Sequence, residues 1–433
     1  MRTALTNVNV LTGRLDADGK MEMKNGTVLI DDGKFIAVCP ENADLDGCKV
    51  RDLGGKYMMP GLINMHVHIA SAGKPSKPRE KPVDYKRIFD ILTKFPLILN
   101  AYRKMNASNA RTMFLSGATT IRTVGGILAF DGKIRDDILS GRAIGPRMLV
   151  ANTAVSVPGG HFAGSLATEA TSPEEARADV RRIAETNPDL IKIMVTGGIL
   201  DAPDENSPIT LRMPPEIVEA ACDEAHKLGY KVAAHVESNE GVKVALRGGV
   251  DTIEHGGKPD EEMMDLFKKT GASLILTLSP ALPGAYMGVG NELCQKLSLK
   301  LFKDLIDCAK MCMENGITVG FGTDTGCPYT TPNNTWRELP YLVKYLGISP
   351  DKALNMATEV NSKILGRDDE FGTIEEGKSA DFVVTDTNPL DDFTVLKNIY
   401  MVSVMGRIVT NPKPAKFKTV DETMDKILTG DYN

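Results

Sequence analysis

A short apolar segment that ends in two histidines decides the fold, Leu62-Ile63-Asn64-Met65-His66-Val67-His68. Seven similar segments follow it, with helical patterns between them: Thr119–Val124, Arg147–Ala151, Leu190–Val195, Lys231–Val236, Asp251–Glu254, Ser273–Leu278 and Thr318–Gly322. Near-continuous apolar strands that alternate with helices are typical of a parallel sheet covered on both faces. The sequence therefore predicts an α/β fold with eight parallel strands.

Eight parallel strands with helical crossovers predict a closed (β/α)₈ TIM-type barrel, although a doubly wound open sheet would give the same alternation. The loops favour the barrel, because the long polar or glycine-rich segments follow strands and precede helices. These segments are 70–84, 157–172, 196–213, 279–295 and 325–336. In a barrel, such loops share the C-terminal face, where active sites lie.

The two ends of the chain carry shorter β patterns. Asp31-Asp32-Gly33-Lys34 separates two β-forming runs, and Asp-Gly between such runs is a hairpin signal. Similar runs recur between 371 and 411, beginning with Gly372–Ile374. Because each end is too small for a core of its own, we predict one composite β-sandwich. The predicted domains are 1–59 with 369–412 for the sandwich, 60–368 for the barrel, and 413–433 for a C-terminal tail that is either a short helix or poorly ordered.

Composition excludes several classes of protein. The chain has 433 residues, 42% of them hydrophobic, with a formal net charge of −6, which argues against a nucleic-acid partner. No apolar run approaches the roughly 20 residues of a membrane span, and the N-terminus lacks a secretory signal. The seven cysteines are scattered and form no C-x-x-C motif, which indicates reduced thiols and not a disulfide framework. We therefore expect a cytoplasmic protein with no membrane partner.

Five potential metal ligands lie at the C-terminal ends of four predicted strands: His66, His68, His235, His255 and Asp324. Side chains at i and i+2 of a strand point to the same face, so the first two histidines can share one ion. One such histidine alone is usually structural, but the convergence of five predicts a metal centre. Nitrogen and oxygen donors suit zinc, and also manganese, iron, cobalt or nickel. Of the other histidines, His161 lies in the loop after the third strand, and His226 lies on a helix and is predicted to be a structural or surface residue.

Lys192 lies inside the predicted strand Leu190–Val195. A lysine in an apolar strand is costly unless it is paired or modified. One interpretation is an ion pair within the barrel. The other is a carbamate, because a buried lysine has a lowered pKa and its neutral amine is nucleophilic. The two carbamate oxygens could bridge two metal ions.

This residue set resembles that of the amidohydrolase superfamily. The segment Tyr57–His68 is similar to the superfamily's entry into the barrel, and Gly372–Asp381 is similar to its return to the β-sandwich. Ile191–Met194, followed by Thr196-Gly197-Gly198, and Gly249–Gly256 resemble the prolidase-like and imidazolonepropionase-related metal-dependent dipeptidases. The resemblance covers about residues 3–411.

The resemblance implies a binuclear amidohydrolase that cleaves an amide or peptide bond in a dipeptide or an N-acyl amino acid. Two divalent ions, preferably zinc, would be held by His66, His68 and Asp324 on one side and by His235 and His255 on the other. Carbamylated Lys192 would bridge them, and a metal-bridging hydroxide would attack. Asp324 would act as general base and then acid, and His161 would stabilise the oxyanion. The resemblance also implies a homo-oligomer.

Two features of the predicted substrate side depart from these relatives. Glu237 stands where many of them have a histidine or an aromatic residue, and we predict that it contacts substrate. The loop after the first strand is basic, and its cations either attract a substrate carboxylate or form a solvated face. These cations are Lys74, Lys77, Arg79 and Lys81.

Three alternatives stay open. The first is a mononuclear, imidazolonepropionase-like hydrolase of a cyclic amide, which would not need Lys192. The second is a deaminase, which Ser238 disfavours because that position carries a proton-shuttling glutamate in deaminases. The third is a metal-bound scaffold without catalytic activity, which the complete set of ligands disfavours.

Overall fold

The computed structural model describes residues 2–75, 85–199, 204, 206 and 209–431. Its strands are β1 (Thr3–Leu15), β2 (Met21–Asp31), β3 (Lys34–Val38), β4 (Lys49–Pro60), β5 (Leu62–Val67), β6 (Ala118–Thr123), β7 (Arg147–Val150), β8 (Ala154–Ser156), β9 (Ala167–Glu169), β10 (Leu190–Met194), β11 (Lys231–Val236), β12 (Thr252–His255), β13 (Ser273–Leu276), β14 (Val319–Phe321), β15 (Phe382–Thr385), β16 (Met401–Val404) and β17 (Arg407–Thr410). All eight strands predicted between 62 and 322 are confirmed.

The helices are α1 (Tyr85–Lys94), α2 (Pro96–Leu115), α3 (Phe130–Leu139), α4 (Pro173–Ala184), α5 (Pro215–Lys227), α6 (Asn239–Arg247), α7 (Glu261–Thr270), α8 (Leu282–Tyr286), α9 (Glu292–Glu314), α10 (Glu338–Tyr341), α11 (Pro350–Asn355), α12 (Asn361–Leu365) and α13 (Lys418–Thr429). Capping residues define where these helices begin and end. Asp260 accepts a hydrogen bond from the Met263 amide at the start of α7, and Gly271 ends that helix with φ 72°. None of these described helices combines the length and apolarity needed to cross a membrane.

The two chain ends share one seven-stranded sheet with the order β17-β16-β15-β4-β1-β2-β3. Strand β4 pairs parallel to β1 and antiparallel to β15, so it joins the N-terminal and C-terminal parts. The predicted hairpin between β2 and β3 is confirmed. The predicted run Gly372–Ile374 is not a strand, because its observed backbone tie is a single hydrogen bond from the Ile374 amide to Thr12 (2.8 Å). The two-layered sandwich and its exact boundaries stay predictions.

The central strands form two parallel sheets, β5-β6-β7 and β14-β13-β12-β11-β10-β8-β9. The sheets meet at two places. Strand β7 pairs with β6, while β8, only three residues further on, pairs with β10. At the other edge, the Asp324 amide donates to His66 O (2.9 Å) and the His68 amide donates to Thr325 O (2.7 Å). These links support the predicted closed barrel, and they bring the ends of β5 and β14 together.

The C-terminal tail is an ordered helix. Helix α13 buries Val420, Met424 and Ile427 against the main apolar core. Buried Arg337 donates to Asp425 on this helix (2.6 Å). The poorly ordered alternative is therefore wrong for 418–429, and the tail packs beside the segment that follows β14.

Candidate active site

The predicted metal ligands converge at the carboxyl ends of the parallel strands. The rings of His66 and His255 lie 4.6 Å apart between centroids, and those of His66 and His68 lie 5.4 Å apart. His235 lies 4.9 Å from His255 by the same measure. Four histidines from β5, β11 and β12 thus form one continuous cluster, as the sequence predicted.

Asp324 closes this cluster from the end of β14. Its Oδ1 lies 3.5 Å from Nε2 of both His66 and His68. One potential ligand atom from each of His66, His255 and Asp324 lies within 4.8 Å of the others. This compact group differs from the pairing that the resemblance implied, in which His255 belonged to the second metal together with His235.

Two of the converging residues have a strained backbone. His255 has φ 72° and Asp324 has φ 55°, in the left-handed region that few residues other than glycine adopt. Such strain costs about 1–3 kcal/mol and is concentrated at functional sites. Here the strained residues, His255 and Asp324, lie at strand ends, and their side chains turn into the cluster.

Hydrogen bonds fix which nitrogen of each ring carries the proton. Carboxylate and carbonyl oxygens only accept, so His66 Nδ1 donates to Glu254 (2.7 Å) and His68 Nδ1 donates to Gly125 O (3.1 Å). Both rings therefore present an Nε2 lone pair. His235 is oriented the other way, because its Nε2 donates to Gly197 O (2.9 Å) and leaves Nδ1 as the lone pair.

The cluster favours neutral imidazoles. Burial lowers the pKa of His66, His235 and His255 well below the ordinary histidine value, and burial also lowers the pKa of His68. Neutral imidazole is the form that binds a metal ion. The charge state, the tautomers and the convergence therefore all fit divalent-metal coordination.

Lys192 reaches the same cluster from β10 and is 1% exposed. Its Nζ and Asp324 Oδ1 are buried and have no hydrogen-bond partner within the described residues. A buried polar group without a partner costs about 1–3 kcal/mol. Burial lowers the pKa of Lys192 to about 8, despite the nearby Glu254 carboxylate. These two groups fit a site that binds metal ions and holds a modified lysine. Among the residues that the structure describes, no carboxylate lies within hydrogen-bond distance of Lys192 Nζ.

A buried charged network that the sequence reasoning missed lies behind His66. Arg122 on β6 donates to Glu254 Oε1 (2.6 Å) and to Met65 O (2.6 Å), and Glu254 holds His66 through its other oxygen. Thr252 also donates to Glu254 (2.6 Å). The argument applied to Lys192, a charged residue inside a predicted parallel strand, would have identified both Arg122 and Glu254.

The two residues predicted to contact substrate, His161 and Glu237, lie next to the cluster. His161 is buried and stacks on His235, with ring centroids 4.3 Å apart. A Cβ at Gly198 would lie 2.6 Å from the His161 ring, so glycine permits this close approach.

The Glu237 amide donates to Thr196 (3.0 Å). Cys327 donates to Asp324 Oδ2 (3.1 Å), and burial, followed by the charges of Asp324 and Glu237, raises the pKa of this thiol.

Other predicted residues lie outside this group. His226 pairs with Asp251 (2.9 Å) at the exposed surface, away from the cluster, which fits the predicted structural or surface position. Lys74 is exposed. Lys77, Arg79 and Lys81 lie outside the described residues, so their predicted attraction for a substrate carboxylate stays a prediction.

Known proteins share this architecture. A putative prolidase from Bifidobacterium longum is 34% identical, with a TM-score of 0.83 over 98% of both chains. A Xaa-Pro dipeptidase solved with methionine in its active site is 26% identical, with a TM-score of 0.80 over 95% of this chain and 100% of that one. Ochratoxinase from Aspergillus niger is 25% identical over 418 residues, which cover 88% of this chain and 82% of the relative.

Comparison with a sequence model of a protein family agrees with these similarities. The sequence model of the amidohydrolase family matches residues 57–409, which includes every histidine of the cluster, Lys192 and Asp324. Its homologues include hydrolases that act on amide carbon–nitrogen bonds. The chain belongs to the amidohydrolase family and is a hydrolase acting on such bonds.

Proposed function

We propose that this protein is a binuclear metal-dependent amidohydrolase that cleaves a dipeptide or an N-acyl amino acid. The observation that carries the proposal is the convergence of four neutral histidines, Asp324 and an unpartnered buried lysine. Zinc as the metal, closure of the barrel and a cytoplasmic location accompany the proposal as predictions from the sequence.

The donor atoms suggest how two ions would be held. His66 and His68 offer Nε2 beside Asp324 Oδ1, and His235 offers Nδ1 beside His255. When bound, divalent ions would lower the pKa of a water and polarise the scissile carbonyl. Glu254 is a positioning residue, because its hydrogen bond orients the His66 ring and fixes its tautomer.

Lys192 would join the two sides after reaction with carbon dioxide. The neutral amine attacks the carbon of CO₂, an N–C bond forms, and one amine proton is released to solvent. The product is a carbamate with one negative charge and two oxygens. A lowered pKa favours this reaction at neutral pH, because more of the amine is unprotonated.

Asp324 and His161 would act on the substrate itself. The Asp324 carboxylate would take a proton from the attacking water and return it to the leaving amine. The strained backbone and the Cys327 hydrogen bond hold that carboxylate in place. His161, fixed by its stacking on His235, would donate a hydrogen bond to the developing oxyanion.

The proposed substrate class rests on similarity and on the residues around the cluster. Two similar solved structures are described as a putative prolidase and a Xaa-Pro dipeptidase. Glu237 follows the strand that carries His235, and its charge acts on Cys327. A carboxylate at this point would favour substrates with a cationic group, such as the free amine of a dipeptide, over neutral N-acyl groups.

A hydrolysis screen tests the proposal. Xaa-Pro dipeptides, other dipeptides, N-acyl amino acids and cyclic amides would be incubated with protein supplied with Zn²⁺ or Mn²⁺ and bicarbonate, and free amino acids would be quantified. We expect release from a linear dipeptide or N-acyl amino acid by the wild type, and release at least about 100-fold slower by Asp324→Asn. Loaded protein that hydrolyses none of the library would instead support the scaffold alternative.

A mononuclear cyclic-amide hydrolase is the second candidate. The compact grouping of His66, His255 and Asp324 favours it, because three ligand atoms within 4.8 Å suffice for one ion. In that case Lys192 would have only a structural role. Hydrolysis of cyclic amides alone in the same screen, with one ion per chain, would select this candidate.

A further inference from the structure

The C-terminal helix α13 is held to the barrel by charged side chains as well as by its apolar face. It lies beyond residues 57–409, the part of the chain that the family model matches. Asp421 and Asp425 are four residues apart on this helix and therefore share one of its faces. Both carboxylates contact polar side chains of the segment 333–337, which follows β14. These contacts place α13 next to two loops that border the candidate active site, those after β13 and β14.

The first contact joins Asp425 to a buried cation. Arg337 is 2% exposed and donates to the Asp425 carboxylate (2.6 Å). A second donor of Arg337 reaches the backbone carbonyl of Asp421 (3.3 Å). A buried guanidinium is stable only when it is paired, and loss of its partner is strongly destabilising. The position of Arg337 therefore depends on α13.

The residue that follows, Glu338, connects this contact to the loop after β13. Its fully buried carboxylate accepts hydrogen bonds from the backbone amides of Leu278 and Ser279, and from the Ser279 hydroxyl. Directly before these residues, the Thr277 hydroxyl bonds to Nδ1 of His255 (2.7 Å). A continuous chain of contacts thus runs from α13 through Glu338 to the ring of a candidate metal ligand.

The second contact holds the loop after β14. The side-chain amides of Asn333 and Asn334 are buried and donate to Asp421 Oδ1 (3.1 and 2.9 Å). The same loop begins beside Asp324, where the Cys327 thiol donates to Asp324 Oδ2 (3.1 Å). Helix α13 therefore fixes the far end of a loop whose near end contacts the predicted general base.

We propose that α13 positions the metal site, with Asp421 and Asp425 as its positioning residues. The inference rests on the proposed function, because it takes the histidine cluster as a site for metal ions. Through Glu338 the helix restrains the loop that orients His255, and through the paired asparagines it restrains the loop beside Asp324. A helix that only covered apolar surface would not need two carboxylates directed at buried polar groups, since burying such groups costs free energy.

Hydrogen–deuterium exchange of the full chain tests this role without a substrate. In Asp421→Asn/Asp425→Asn, the two backbone amides that Glu338 accepts from should exchange about fivefold faster, because that carboxylate is held less firmly. Amides of β2 and β3, in the seven-stranded sheet, should exchange at the wild-type rate. The control variant Glu422→Gln/Asp431→Asn removes two exposed carboxylates from the same part of the chain and should leave every rate unchanged. Thermal melting would establish that each variant is folded.

Metal affinity gives a second measurement. In competition with a chelator, Zn²⁺ should bind the double variant about threefold more weakly than the wild type. On a cleaved dipeptide, kcat should fall by a similar factor while KM stays unchanged. Asp425 is 41% exposed, so the longer side chain of Asp425→Glu can still reach Arg337, and this variant should bind Zn²⁺ like the wild type.

Wild-type exchange and wild-type Zn²⁺ affinity in the folded double variant would overturn the proposal. So would faster exchange throughout all sheets, which would indicate general destabilisation, or equal losses in the control variant. If the double variant does not fold, Asp425→Asn alone carries the same test. A wild type that hydrolyses no dipeptide would count against the proposed function alone, because exchange and metal affinity need no substrate.

Discussion

The two sides of the candidate active site hold their histidines by different means. On one side, His66 is oriented by Glu254, a carboxylate that is itself paired with buried Arg122 inside the strands. On the other side, His235 is oriented by the carbonyl of Gly197, in the turn after β10. On the first side, His66 is fixed by charged side chains of the sheet, while His68 donates to the carbonyl of Gly125. The second side depends on a loop and on Lys192. We therefore expect the first side to be preorganised and the second to be completed by carbamylation.

The largest expected effect comes from Asp324, the carboxylate of the first side. Replacing Asp324 by Asn removes the carboxylate that lies beside His66 and His68 and that would carry the proton. We expect turnover to fall by about 10²–10⁴-fold, the contribution of a general acid–base group. The measurement is kcat on the dipeptide that the wild type cleaves best, with thermal melting as a check of folding. Asp131→Asn, which changes a buried carboxylate outside the ligand set, should retain turnover; retained turnover in Asp324→Asn would refute its role as the base.

The second-largest expected effect concerns Glu254, which orients His66 on the first side. Glu254→Gln should weaken metal binding by about 10–100-fold, because the amide orients the His66 ring less firmly than a carboxylate. Metal affinity would be measured by competition with a chelator. Loss of one partner of a buried ion pair also costs about 3–5 kcal/mol of stability.

A double variant separates these two effects of Glu254. Arg122→Met/Glu254→Gln removes the unpaired charge and should recover stability while its metal affinity stays low. Wild-type affinity in either folded variant would show that Glu254 stabilises the sheet without positioning His66.

The pH dependence of Lys192 carbamylation tests the second side of the site. Only the neutral amine of Lys192 reacts with CO₂, and burial lowers the pKa of this lysine to about 8. The reaction rate of metal-free protein should therefore rise about tenfold per pH unit below 8 and level off above it. The measurement is the ¹³C NMR signal of the carbamate at a fixed concentration of dissolved ¹³CO₂, with Lys192→Ala as the blank. A rate that keeps rising to pH 10, as for an ordinary lysine, would contradict the lowered pKa.

The smallest effect concerns His255, which lies between the two sides. Its Nδ1 hydrogen bonds to the Thr277 hydroxyl (2.7 Å), a neutral partner. A neutral hydrogen bond contributes about 1 kcal/mol, so Thr277→Val should weaken metal binding by about fivefold. Thr358→Val removes a buried hydroxyl that donates to Leu354 O (2.8 Å) and leaves the cluster unchanged, so its metal affinity should equal the wild type's. Equal losses in both variants would point to general destabilisation.

Much of the fold followed from the sequence, because buried parallel strands leave a strong signal. The eight apolar segments became strands with bounds within two residues of the prediction. Short strands β8 and β9 were missed, since three residues are too few to show periodicity. Gly372–Ile374 has strand-forming residues but lies where the chain turns between domains, so local propensity was overridden by tertiary contacts.

The convergence of the candidate site was predictable from the sequence, and its surroundings were less so. One signal, a polar residue at the end of a strand, is shared by His66, His68, His235, His255 and Asp324, and it places them at the carboxyl ends of the parallel strands. The grouping of His255 with Asp324 depends on backbone angles that no sequence pattern specifies. The hydrogen bond from Cys327 to Asp324 likewise depends on how the loop after β14 turns.

Metal content per chain tests the central claim most directly. Wild type, Lys192→Ala and Lys231→Ala would be purified with bicarbonate, and their metals quantified by inductively coupled plasma mass spectrometry. Lys231 lies at the opposite end of the neighbouring strand and is the matched control. A binuclear site predicts two ions per chain in the wild type and in Lys231→Ala, and about one or fewer in Lys192→Ala. One ion per chain in all three proteins would contradict the binuclear account and favour the mononuclear hydrolase.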